Sequence, residues 1–199
     1  YKAKKGVILT SGGFGADTAF REKQDALLDA SIDTTNIASA TAEVLKSAIK
    51  HGADTKDLDR ISLAPWTSPD EKGFGDGPKF ADYIALQRGI LVDPDTSKRF
   101  TNELADRKTI SNAILKVGHP VIALADTRAV KEANMNLEKA LKKGVVKTFE
   151  GLKSLSENYG LDAPSLEKTV THFNDFVWHK EDKDFAKPLE GATPIETPP

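Results

Sequence analysis

The chain has 199 residues, of which 39% are hydrophobic and 29% charged, a composition typical of an ordinary globular protein. Its net charge of −2 provides no basic field to attract nucleic acid, and no apolar run approaches the roughly 20 residues that span a bilayer. Cysteine is absent, which excludes disulfides, thiolate metal ligands and cysteine nucleophiles.

The two ends of the chain indicate a piece of a longer polypeptide. The chain begins at Tyr1, its single methionine is Met135, and it stops at Pro199 with no helix cap or polar tail behind it. We therefore expect an internal fragment, whose sequence says nothing about an upstream signal peptide.

The first predicted element is a strand over residues 6–10, a short apolar run closed by glycines. Such a run is typical of a buried strand in a parallel or mixed sheet. The glycines within residues 11–15 allow the backbone either to approach a ligand closely or simply to turn into a helix. Asp17 is the predicted N-cap of that helix, which we expect to end near residue 28.

Helical spacing of apolar residues then predicts a helix over residues 40–49, and weak alternation predicts a strand over residues 58–63. Residues 65–78 form a predicted loop rich in Gly, Pro and Asp, in which Trp66 and Phe74 are set. Aromatic side chains in such a loop indicate that it packs over something rather than remaining free.

The pattern in the second half of the chain predicts strands over 89–92 and 120–125 and helices over 106–117, 148–159 and 162–178. It also predicts a short helix capped by Asp126 and another that starts at Asn134 or Asn136 and ends at residue 143. In the last helix Leu166, Val170 and Phe173 face inward, and Trp178 is expected in the core. The sum is an α+β (mixed α/β) architecture with a seam near residue 60.

Residues 98–107 form a predicted strand-to-helix junction that contains two arginines, an asparagine and two carboxylates. Ordering such a set is costly unless its members bind one another or a ligand. Arg99 and Asn102 are predicted to hold this corner through hydrogen bonds to backbone. Arg107, taken alone, could be a first-turn helix arginine that pairs with Glu103 or Asp106 at the surface.

Several segments, in order and over nearly the whole chain, resemble the flavoprotein subunits of fumarate reductases and soluble flavocytochromes c. The matching segments are 5–15, 34–36, 52–58, 98–103 with Arg107, 161–170 and 182–185. The resemblance implies that residues 1–60 are the last part of the first FAD-binding-domain segment and that residues 61–190 are a capping (clamp) domain. Residues 191–199 would then be an extended return towards the FAD domain.

The resemblance implies an FAD-dependent oxidoreductase that acts on CH–CH groups. Reduced FAD would transfer hydride to the β-carbon of an α,β-unsaturated carboxylate, and Arg107, which closes the Arg-Phe-x-Asn-Glu-x-x-x-Arg motif, would protonate the α-carbon. An arginine needs a carboxylate to replace its proton. The candidates are Asp82, Glu103 and Asp106; Asp82 stands near the family's glutamate position, although the family's upstream arginine is missing here.

The substrate expectation rests on residues 64–66, Ala-Pro-Trp, which stand where fumarate-type members carry His-Pro-Thr. Loss of the histidine removes a charge-assisted donor for a second carboxylate, and the indole adds apolar surface. The resemblance therefore favours a urocanate or aryl-acrylate substrate over fumarate, with Trp66, Tyr83 and Phe74 lining the pocket. Trp66 could equally be the buried anchor of its loop.

The resemblance implies FAD contacts at Ser11, Gly12, Gly13 and Thr41. Residues 39–44 lack two glycines of the family pattern, which leaves open a non-catalytic binding or assembly module of the same ancestry, or a fumarate reductase proper. The isolated chain is expected to bind FAD weakly or not at all. No metal site is expected, because the four histidines lack metal-like spacing.

The expected partners are a small unsaturated carboxylate and an electron-donor domain or protein outside these residues. Nucleic acid and membrane insertion are not expected. Relatives of this type imply the periplasm or the cell surface, for which the chain itself carries no signal.

Overall fold

The computed structural model describes residues 3–73 and 75–196, and the chain divides into two compact units, Tyr1–Ser62 (unit 1) and Leu63–Pro199 (unit 2). Phe74, which the sequence placed in a substrate pocket, lies outside the described residues. The assignment of the two units to an FAD-binding domain and a capping domain stays a prediction.

Unit 1 contains two helices, α1 (Thr18–Gln24) and α2 (Glu43–Lys50). Asp17 caps α1 as predicted, because its carboxylate accepts the N–H of Phe20 at 3.0 Å. The same carboxylate accepts the N–H of Ala42 at 3.2 Å and pairs with Lys46 Nζ at 2.6 Å. Asp17 therefore ties the beginning of α1 to the beginning of α2.

Helix α1 ends at Gln24, earlier than predicted, because the chain turns around the buried side chain of Arg21. The guanidinium of Arg21 donates hydrogen bonds to the backbone carbonyls of Gly15, Leu28, Asp29 and Ile32. A buried cation that satisfies several carbonyls organises a loop better than another helical turn would.

The predictions of strands over residues 6–10 and 58–63 are both wrong. Residues 6–10 form an extended loop, and Val7 and Ile8 are 76% and 89% exposed. Residues 58–63 form a turn and loop without ladder hydrogen bonds. A strand requires a neighbour that pairs its N–H and C=O groups, and neither segment has one among the described residues.

Unit 2 is built around a three-stranded sheet of order β2-β1-β3, with β1 (Ile90–Asp93), β2 (Lys98–Arg99) and β3 (Ile122–Leu124). Both pairings are antiparallel, with Val92 opposite Arg99 and Leu91 opposite Ala123. The strands predicted over 89–92 and 120–125 are confirmed as β1 and β3.

Helices surround this sheet. They are α3 (Asp76–Phe80), continued by a π-helical turn (Ala81–Ala85) and α4 (Leu86–Arg88), and then α5 (Arg107–Val117), α6 (Thr127–Glu132), α7 (Glu138–Lys143), α8 (Leu152–Tyr159) and α9 (Ala163–His179). Carboxylate caps begin α5, α6 and α9 at Asp106, Asp126 and Asp162. The mixed α and β architecture is confirmed. Within the described ranges, no helix combines the length and apolar character needed to cross a bilayer.

The main core of unit 2 lies between α9 and the sheet. Leu166, Val170 and Phe173 are buried there against Ile90 and Val92, as the helical spacing predicted. The prediction that Trp178 packs in this core is wrong, since Trp178 is 60% exposed. It follows the stripe residue Val177 directly, and successive helical residues differ by about 100° around the axis.

A buried charge cluster joins β2 to the C-terminal segment. Arg99 contacts Glu103 through two hydrogen bonds of 3.0 and 2.9 Å and Asp182 through one of 2.9 Å. Lys187 Nζ lies 3.3 Å from Glu103 Oε2 and donates to the carbonyl of Gly89. Two cations thus balance two carboxylates in a cluster whose side chains are at most 5% exposed.

The prediction for Arg99 is wrong, and the prediction for Asn102 is confirmed. Arg99 does not bond to backbone as predicted, because buried carboxylates compete for its guanidinium. Asn102 does: its Nδ2 donates to Ala186 O at 3.1 Å, and its Oδ1 accepts the N–H of Leu104 at 2.8 Å.

Candidate active site

Arg107 is the first residue of α5, and its position follows from the cap of that helix. The Asp106 carboxylate accepts the N–H groups of Lys108 and Thr109 at 3.0 and 3.1 Å. This starts the helix directly at Arg107 and leaves its side chain exposed. The guanidinium carbon lies 4.5 Å from the centroid of the Trp66 ring, a cation–π contact.

The surface pairing considered for Arg107 is not formed. Glu103 is buried against Arg99 and Lys187, and the Asp106 carboxylate is occupied by the helix cap and the Thr109 hydroxyl. Within residues 3–73 and 75–196, no carboxylate forms an ion pair with Arg107. Its charge is thus not neutralised by direct contact with these side chains.

Asp82 is the carboxylate that interacts with Arg107 at longer range. Burial raises the pKa of Asp82, and the positive charge of Arg107 offsets only part of this effect. Asp82 lies in the π-helical turn, a feature frequent at functional sites. Of the three carboxylates considered as proton sources, Asp82 is the one not committed to a cap or to the buried cluster.

Trp66 connects this pair of charged residues to the interior of unit 2. Its ring packs against the cluster of Leu86, Leu91 and Ile110, and it also lines a cavity of about 860 Å³. The indole N–H is buried without a hydrogen-bond partner among the described atoms. Trp66 therefore anchors its loop and at the same time forms a wall beside Arg107.

The loop that carries Trp66 is fastened at its far end by Glu71. The Glu71 carboxylate accepts the N–H of Gly77 at 2.7 Å and contacts Lys143 Nζ at 3.2 Å. Burial opposes ionisation of Glu71, but these contacts keep its pKa below the usual value. Nothing in the local sequence distinguishes Glu71 from neighbouring acidic residues, so sequence reasoning did not select it.

Tyr83 lies apart from the cavity that Trp66 lines. It is 60% exposed and borders a separate groove with Gln87, Leu104 and Pro188. The structure therefore does not bring Tyr83 to Trp66 within unit 2, and its predicted contact with substrate stays a prediction.

The predicted FAD contacts lie together in unit 1. Ser11, Gly12 and Gly13 are exposed, and no hydrogen bond joins their backbone to another described residue. Gly12 has φ +85°, and a Cβ added at Gly12 or Gly13 would meet nothing within 4 Å. Packing within unit 1 does not explain these glycines, whereas close approach of a phosphate-bearing cofactor to free N–H groups fits them.

Thr41 belongs to a segment that the structure places beside this glycine loop. The N–H of Ala16 donates to Ala40 O at 3.0 Å, and the N–H of Thr41 donates to Ser39 O at 2.8 Å. The role of the four residues in binding FAD stays a prediction.

His119, Asp93 and Asp95 form a group that the sequence did not predict, in which Asp95 is exposed and the other two are partly buried. His119 Nε2 lies 3.1 Å from Asp95 Oδ2 and 3.6 Å from Asp93 Oδ1. The hydrogen bond with the Pro120 carbonyl and the two carboxylates raise the pKa of His119. Ion pairing accounts for the arrangement.

Comparison with known proteins assigns the chain to a family. A family model described as FAD binding domain matches residues 1–197. The chain belongs to this family. FAD is the cofactor of the family, as the sequence predicted.

Two curated relatives carry named reductase activities. The acrylate reductase flavoprotein subunit of Shewanella woodyi is 34% identical over 196 residues, which is 96% of this chain and 38% of that protein. The urocanate reductase of Eggerthella lenta is 28% identical over 206 residues, 96% of this chain and 33% of that protein. The chain thus spans roughly a third of the length of these relatives.

A solved structure shares the fold. The open conformation of a flavocytochrome c3 fumarate reductase matches with a TM-score of 0.71 and 22% identity, over 98% of this chain and 33% of that one. The predicted resemblance to fumarate reductase and flavocytochrome c flavoproteins is confirmed.

Proposed function

We propose that the protein is an FAD-dependent reductase of α,β-unsaturated carboxylates, with unit 2 as its capping domain. The observation that carries the proposal is the position of Arg107, over Trp66 and within electrostatic reach of Asp82. The relatives named acrylate reductase and urocanate reductase support this class of reaction.

The residues of this chain divide the work of protonation. The FAD held by the protein would, when reduced, supply the hydride for the β-carbon. An arginine side chain stays protonated at working pH, so Arg107 donates to the α-carbon and stabilises the negative charge that develops there. Asp82 replaces the proton on Arg107, because burial favours its protonated form.

Unit 1 contributes part of the cofactor site in this proposal. The exposed N–H groups of Ser11, Gly12 and Gly13 bind the cofactor, and Thr41 contacts it from the neighbouring segment. These contacts hold FAD on unit 1.

The substrate is proposed to carry one carboxylate. Ala64 and Trp66 offer no charged donor for a second carboxylate, and the indole provides apolar surface beside Arg107. A urocanate or aryl-acrylate type of substrate therefore fits better than fumarate.

The test compares wild-type and Arg107→Ala forms of the full-length protein. Acrylate, fumarate, urocanate and cinnamate serve as electron acceptors, with reduced methyl viologen as the donor. We expect Arg107→Ala to lower turnover by about 10²-fold to 10⁴-fold while the flavin absorption spectrum is retained. Lys108→Ala, at the next exposed position of α5, is the matched control.

Three outcomes decide between the alternatives. Turnover retained in Arg107→Ala would overturn the role of Arg107 as proton donor. A wild-type protein that binds FAD but reduces none of the acceptors would instead be a binding or assembly module. A preference for fumarate would identify a fumarate reductase proper.

A further inference from the structure

Unit 2 contains a cavity of about 860 Å³ between the Trp66 loop, α3, β3, α7 and α8. This volume lies within the range of roughly 300–1,000 Å³ typical of small-molecule sites. An acrylate ion would fill only a small part of it. The cavity therefore requires an explanation beyond binding of the carboxylate and the double bond.

The wall of the cavity is apolar in its depth and charged only at its mouth. Its buried lining residues are all apolar: Pro78, Leu124, Ala125, Leu137, Val146 and Leu155. Its charged lining residues, Asp70, Lys131, Glu138 and Lys147, are all exposed. Apart from the buried indole N–H of Trp66 and the partly buried side chains of Ser68 and Thr127, a ligand group that enters the interior meets hydrocarbon.

The cavity adjoins the candidate active site at two points. Trp66 lines the cavity and also carries the guanidinium of Arg107 over its ring. Ala81 lines the cavity and directly precedes Asp82 in the π-helical turn. Trp66 thus borders both Arg107 and the cavity, which is the arrangement required by a substrate that reacts at Arg107 and extends its β-substituent into the cavity.

We propose that this cavity binds the β-substituent of the substrate and selects an apolar aromatic or bulky hydrocarbon group. This inference rests on the proposed reductase function and specifies its substrate class. An imidazole ring, as in urocanate, would give up two hydrogen bonds with water, and a wall that is mostly apolar offers few groups to replace them, which costs binding free energy. A phenyl ring, as in cinnamate, carries no hydrogen-bonding group and gains from burial of its surface.

The experiment measures kcat/KM of the full-length protein for acrylate, urocanate and cinnamate. Wild type is expected to prefer cinnamate to both others. Val146→Phe fills the buried wall and should lower kcat/KM for cinnamate by about tenfold or more, well beyond its effect on kcat/KM for acrylate. Val177→Phe, which adds the same volume to a partly buried residue outside the cavity, is the control.

A second variant keeps the test decisive if Val146→Phe fails to fold. Leu141 lines the cavity but is 41% exposed, so Leu141→Trp should narrow the cavity with less effect on the core. Wild type that reduces acrylate but not cinnamate would overturn the inference alone, as would a filled cavity that lowers both activities equally. Wild type that binds FAD and reduces none of the three would overturn the proposed function itself.

Discussion

The guanidinium carbon of Arg107 lies 4.5 Å from the centroid of the Trp66 ring. This contact joins the first turn of α5 to the loop that precedes α3, two segments separated along the chain by β1 and β2. It places a cation over an aromatic face, and the described residues supply no carboxylate in direct contact with that cation. The pair is therefore energetically coupled through the ring itself.

A double-mutant cycle should measure this coupling. Arg107→Gln, Trp66→Leu and the double variant are compared by urea denaturation of the 199-residue chain. We expect a coupling free energy of about 0.5–1 kcal/mol, the usual size of an exposed cation–π contact. A cycle of Lys108→Gln with Trp66→Leu is the control, and equal coupling in both cycles would contradict the observed geometry.

Asp82→Asn should change how stability depends on pH. Because the pKa of Asp82 is raised above 3.8, the folded protein binds this proton more tightly than the unfolded chain does. The free energy of unfolding of wild type therefore falls as pH rises from 3.8 through the pKa that Asp82 has in the folded protein. The amide side chain of the variant does not titrate, so the variant shows no such fall. The free energy of unfolding of the variant should equal that of wild type below this pH interval and should be larger at neutral pH.

The measurement is denaturation of both proteins at several pH values, with Asp59→Asn as a control for removal of an exposed negative charge. If Asp82→Asn is less stable than wild type at neutral pH, attraction to Arg107 outweighs burial and the pKa argument is wrong.

The buried charge cluster should respond unequally to loss of its two cations. Arg99→Met leaves Asp182 without its cation and Glu103 without its two-point partner, so we expect a loss of about 3–5 kcal/mol in the free energy of unfolding. Lys187→Met should lower the free energy of unfolding by much less. Arg99 still pairs with Glu103 in that variant, and burial already lowers the pKa of Lys187. Equal losses would show that the cluster is not centred on Arg99.

Gly89 should be intolerant of even one added carbon. A Cβ at this position would stand 2.0 Å from the backbone oxygen of Leu124, so either β3 or the end of α4 must shift. We expect Gly89→Ala to reduce stability by about 1–3 kcal/mol. Gly151→Ala is the matched control, because a Cβ there meets nothing within 4 Å and should change the denaturation midpoint little.

Local features of this protein were predictable from sequence because their causes are local. Asp106, Asp126 and Asp162 cap helices by accepting N–H groups two or three residues ahead, so the neighbouring sequence carries the whole signal. The inward stripe of α9 was equally clear, since its period is set by helix geometry. Strand 6–10 failed for the complementary reason, because strand formation depends on a partner elsewhere.

Residue patterns along the chain thus predict most helices, their caps and the FAD-binding family. They also indicate Arg107 and Asp82 as the residues to test. Only the tertiary structure decided the pairing of charges. Glu103 is close in sequence to both arginines but pairs with Arg99, which also reaches Asp182 at a separation of 83 residues. Burial made that choice, because carboxylates removed from water must bind the cations buried with them, and Arg107 was left at the surface over Trp66.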